Sequence, residues 1–134
     1  MMKKEATTNA DKLREVERTR QNIVKRAKER MAEFMHDAQL DFCYFFHWYA
    51  KDMYKLKMKH DYFTIMPQIT EDADIEIIKK QLQMRIKNIE SELINRSSFG
   101  SCSSEIVNLE HRLKLDAQRA IRESLQEMAW MLEY

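Results

Sequence analysis

The sequence predicts an all-α protein, a three-helix antiparallel bundle opened by an unusually long first helix, and three observations predict it. Apolar residues recur at spacings of three and four over most of the chain. One glycine, Gly100, and one proline, Pro67, occur in 134 residues. Both fall where that spacing lapses, inside 96–104 and 62–70, and nearly everything else is good helix-forming material.

The first helix has a start signal at Thr8, where Thr8-x-x-Asp11 is a weak capping box, which leaves residues 1–8 as a disordered lead. Its apolar seam runs through Leu13, Val16, Ile23, Ala27, Met31, Phe34, Ala38, Phe42, Phe45, Tyr49, Met53 and Leu56, with Arg20 as a polar intruder. No glycine or proline interrupts about fifty residues, enough for a rod of about 75 Å. Either a kink sits near residues 35–41, around His36-Asp37, or the helix runs past its own bundle. If it folds back, the bundle has four segments. Within it, residues 9–30 read as a basic helical arm with a thin apolar stripe, which needs something to lie against because isolated helices of this length are marginal in water. Residues 31–60 read as an aromatic core helix carrying Phe34, Phe42, Tyr44, Phe45, Phe46, Trp48, Tyr49 and Tyr54.

The second helix is expected over 71–96. Thr70 can cap it, and Glu71, Asp72 and Asp74 suit the positive end of its dipole. Its seam is Ile75, Ile78, Leu82, Ile86, Ile89 and Leu93. The third is expected over 104–132, capped by Ser103 or Ser104, with a seam of Ile106, Leu109, Leu113, Ala117, Ala120 or Ile121, Leu125, Met128 and Leu132. Both connections are short enough to make sequential helices antiparallel neighbours, so residues 9–134 form one helical domain.

Charged residues make up 34% of the chain, which argues against a membrane protein, and the 44% apolar share argues against a disordered tail. The longest apolar stretch, 42–50, is far below the roughly 18 residues of a membrane span. The basic N-terminus has no apolar run behind it, so a secretory signal is not expected and cytoplasmic residence is the default. Residues 1–30 hold ten Lys/Arg against five Asp/Glu, whereas 61–134 hold nine against thirteen. Such an asymmetry steers association with a polyanion or with a second copy. Cys43 and Cys102 form no C-x-x-C or cluster; both are read as thiols, Cys43 packed among aromatics and Cys102 exposed.

Catalytic chemistry finds little support. Glu33-x-x-His36 has the spacing of one half of a di-iron bundle site, but no second Glu-x-x-His exists. His36 and His47 are about three turns apart, roughly 16 Å, too far to share a metal. Cys43 and His47 are one turn apart, a pair read as packed rather than activated. A single glycine cannot build a phosphate-binding loop. No catalytic residue, metal or cofactor is expected.

The function these features imply is a non-enzymatic helical interaction or assembly protein of the adaptor, assembly-factor or inhibitor type, a build common among proteins of viruses and mobile elements. It would bind another protein or a second copy, with no membrane role. Val16 and Ile23 would hold the arm in place by apolar contact, and Trp48, Trp130 and Met131 are anchor candidates because interface energy concentrates in large aromatics and methionine adapts. The alternative is a nucleic-acid-binding accessory protein whose Arg14, Arg18, Arg26 and Arg30 neutralise phosphates. The interleaved Glu15, Glu17 and Glu29 favour a solvated, self-paired face instead.

Overall fold

The computed structural model describes residues 8–97 and 104–133. The expectations for residues 1–7 and for Cys102 lie outside them. Four helices are present, not three: α1 Asn9–Leu40, α2 Phe42–Ile65, α3 Ile75–Ser97 and α4 Glu105–Glu133. The chain is all-helical, as expected, but the long first helix is two helices folded against each other.

A single residue makes the reversal. Asp41 is extended, with φ −152° and ψ 95°, so it ends α1 and begins α2. Its N–H donates to Asp37 O at 3.0 Å, its carbonyl accepts from Phe45 N at 3.0 Å, and its Oδ1 accepts from Tyr44 N at 3.0 Å. One aspartate therefore satisfies orphan backbone groups of both helices, which is what a break without glycine or proline requires. Thr8 caps α1 as the sequence suggests, its Oγ1 accepting from Asp11 N at 3.1 Å. Ser104 does the same for α4, accepting from Val107 N at 3.3 Å. The expected cap at Thr70 is not used. Thr70 O accepts from Ala73 N in a turn, and Asp74 Oδ1 accepts from Glu76 N at 2.9 Å, so α3 starts four residues later than expected.

The helices alternate in direction. α1 packs along α2, α3 packs along α4, and α4 also lies against both α1 and α2. α2 and α4 run parallel: Lys51 Nζ is 3.0 Å from Asp116 Oδ2, and further along Lys59 lies near Glu123 and Glu127. Burial there pushes the Lys59 ammonium below its usual range and Lys55 adds to this, while the two glutamates pull it back. The main core gathers Leu13 and Val16 of α1, Phe63 of α2, and Met66 and Ile69 of the connection. Ile75, Leu82, Ile86, Ile89 and Leu93 join from α3, and Ile121, Leu125, Met128, Ala129 and Leu132 from α4. This places the core at the end of the bundle remote from Asp41.

One buried carboxylate ties that end together. Glu17 and Arg20 are both almost enclosed, with Arg20 Nη2 2.6 Å from Glu17 Oε2. Glu17 also accepts from Gln21 at 2.7 Å and from the Ile69 N–H at 2.9 Å, while Arg20 Nη1 donates to Phe63 O at 2.7 Å. Arg20, a polar intruder in the seam, is thus the counter-ion that lets Glu17 hold the α2–α3 connection onto α1. Burial raises the Glu17 pKa, but the hydrogen bonds from Arg20, Ile69 and Gln21 outweigh it and leave the carboxyl below its ordinary 4.5.

Three outcomes follow from this packing. Because the folded-state pKa of Glu17 is depressed, its stabilisation is complete above its ordinary 4.5 and is lost as pH falls through the lowered value. Glu17→Gln should therefore cost on the order of 3 kcal/mol at pH 7, with the gap to the native chain closing in melts run at progressively lower pH below about 4. Leu125→Ala should cost about 2–5 kcal/mol in urea unfolding, since Leu125 is fully buried. A chain beginning at residue 31 should lose its cooperative thermal transition, because it lacks Leu13, Val16 and Glu17.

Candidate functional site

A two-helix hairpin has one internal seam. Near the Asp41 turn it is filled by Phe34 of α1, whose ring lies 6.2 Å from Phe45 and 5.2 Å from Tyr49 of α2. Phe45 and Tyr49, one turn apart, take the inward face of α2. Helical geometry then puts Phe42 and Phe46 on one flank of the seam and Tyr44 and Trp48 on the other. These rings are open to solvent: Phe42 and Phe46 are each 62% exposed, Trp48 60% and Tyr44 54%. Each flank is a pair of neighbouring rings, Phe42–Phe46 at 6.1 Å and Tyr44–Trp48 at 6.4 Å. Leu40 and Met35 of α1 add to this exposed band. Between Ala38 and Ala50 the one Asp, Glu, Lys or Arg is Asp41, whose carboxylate is engaged in capping.

The Tyr44–Trp48 flank continues along α2 as Lys51, Lys55 and Lys59, the side that α4 approaches. Lys51 pairs with Asp116 across the contact between the two helices. One heptad closer to the turn stand Tyr44 on α2 and Leu109 on α4, where both are exposed. A surface groove of about 470 Å³ lies beside this pair, lined by Leu109, Leu113 and Leu115 together with Lys51, Arg112, Arg119 and Asp116. Asp116 is held between two of the cations, Lys51 at 3.0 Å and Arg119 at 3.7 Å.

The sequence-derived site residues divide into three groups. Val16 is fully buried, and Ile23 and Met131 are half-buried against the same core, with Thr19 Oγ1 donating to Met131 Sδ at 3.5 Å. Within the chain these three pack α1 and α4 together. Trp48 and Trp130 are exposed, at opposite ends of the bundle. Of the arginines, Arg14 pairs with Asp11 and Glu71, Arg18 with Glu15, and Arg30 with Glu33, the Arg30 guanidinium also lying 4.3 Å over the Phe34 ring. Arg26 alone of the four has no ion pair among the described residues.

Cys43, expected in the core, is exposed, as are His36 and His47. Among the described residues no group of three or more His, Cys, Asp or Glu is placed to hold a metal, and no helix is long and apolar enough to cross a membrane. Reading residues 31–60 as an aromatic core helix missed the exposure of Phe42, Tyr44 and Phe46. Comparison with protein-family models, with curated proteins and with solved structures finds no match, so the chemistry of the surface carries the functional reading.

Since the tip aromatics contribute little burial, Phe42→Ser and Phe46→Ser should leave unfolding free energy within about 0.5 kcal/mol of the native chain. Cys43→Ser should remove one equivalent of fast thiol reactivity toward a disulfide reagent under native conditions.

Proposed function

We propose that this protein is a non-enzymatic helical interaction module that engages a partner protein through the aromatic tip of the α1–α2 hairpin. The observation that carries the reading is the exposed band of Met35, Leu40, Phe42, Tyr44, Phe46 and Trp48 on a charge-poor stretch of an otherwise highly charged chain. Single exposed apolar residues are ordinary, but two pairs of neighbouring exposed rings on one charge-poor hairpin tip mark a contact surface. At roughly 200 Å² for each large side chain, the exposed fractions sum to roughly 700 Å² over both flanks. A stable interface removes about 800 Å² per partner. The aromatic ring pairs also lose little conformational freedom when covered, which suits them as anchors.

The polyanion alternative has less behind it. Three of the four arginines nominated for it are answered by carboxylates of the same chain, and α1 is held in the bundle by its other face.

The test places a photoreactive benzoylphenylalanine at Phe46 or Trp48 of the full chain, in the cells that make it, with the same probe at exposed Lys28 as reference. Adducts with protein should form from the two tip positions and not from Lys28, and Arg26→Glu should change their yield by less than about twofold. Equal labelling from all three positions, or none from the tip, would overturn the reading.

A further inference from the structure

We infer that the groove between α2 and α4 receives a partner helix whose apolar ridge is flanked by acidic residues. The inference rests on the interaction reading above and names the chemistry of the partner at one side of that tip.

The space itself points to a helix. α2 and α4 pack as parallel neighbours, Lys59 near Glu123 and Glu127 and Lys51 on Asp116, and the groove lies along α4 where Lys51 reaches it from α2. Leu109 and Leu113 line it one turn apart on the α2-facing side of α4, Leu115 lines it from the other side of α4, where it packs against the main core, and Trp48 lies one turn from Lys51 on α2. Apolar side chains at that spacing form the ridge against which another helix packs, the arrangement used when an amphipathic helix lies in a groove.

Charge decides which helix. Lys51, Arg112 and Arg119 line the groove against one carboxylate, Asp116. Asp116 already sits between Lys51 and Arg119, which leaves the groove with an excess of two positive charges. A helix with glutamate or aspartate beside its ridge meets those cations, whereas a basic helix is repelled. A nucleic acid strand fits less well, since the lining leucines offer nothing to phosphate and Asp116 stands among the cations.

The experiment uses the full chain with Trp130→Phe, which leaves Trp48 as the one tryptophan and its fluorescence as the readout. The probes are two short helical peptides with the same leucine ridge, one flanked by glutamate and one by lysine, and a single-stranded oligonucleotide. The glutamate peptide should bind about tenfold more tightly than the lysine peptide at low salt. Arg112→Glu with Arg119→Glu, checked for unchanged helicity, should reverse that order, and Arg18→Glu should leave it as it was. Equal binding of the two peptides, binding of the oligonucleotide in place of the peptide, or a self-associated chain with Trp48 already covered would each overturn the inference. Protein adducts at Trp48 combined with no preference for the glutamate peptide would overturn this inference and leave the interaction reading standing. Loss of the adducts themselves would remove that reading as well.

Discussion

The reversal at Asp41 is the constraint from which the rest of the molecule follows. A continuous helix through this point would carry the thin stripe of Leu13, Val16 and Ile23 away from any neighbour, and the aromatic face of α2 would lack Phe34. The fold-back places each stripe opposite the other. Its local cost is small because Asp41 satisfies backbone groups of both helices with its own backbone and side chain. The gain is an antiparallel hairpin on which α4 can pack.

The hairpin is closed unevenly. At its open end Glu17 and Arg20 bind the α2–α3 connection to α1, and the main core assembles around that junction from all four helices. A buried ion pair of this kind contributes geometry more surely than net stability, because desolvation offsets much of its attraction. Its extra hydrogen bonds to Ile69 and Phe63 fix where the chain turns toward α3. Toward Asp41 the hairpin seam is filled by Phe34, Phe45 and Tyr49, and the flanking rings of α2 are exposed.

That unevenness is what the proposed interaction reading draws on. The main core fills one end, whereas the tip leaves large aromatic rings in water beside few charges. Surface ion pairs on α1 mostly answer its arginines in cis, so the strongest unpaired chemistry on the described surface is apolar. The adjoining groove adds leucines and an excess of positive charge.

The sequence by itself determined the helical class, the break around Pro67, and the seams of the two C-terminal helices. Heptad-spaced apolar residues without glycine or proline have few other ways to bury themselves. It also carried the caps at Thr8 and Ser104, because a hydroxyl three residues before an orphan N–H is a local interaction. Tertiary structure decided the rest. The length of the uninterrupted run points to a break near residues 35–41, but Asp41 is one of many aspartates and nothing local singles it out as the turning residue. What ends the helix there is the distant match between Phe34 and the Phe45–Tyr49 pair. The same nonlocal match sorted the aromatic run into a buried Phe45, a half-buried Tyr49 and four exposed rings, and turned Val16 and Ile23 inward. Spacing along a helix tells which residues share a face, but only the neighbours that arrive determine which faces are covered.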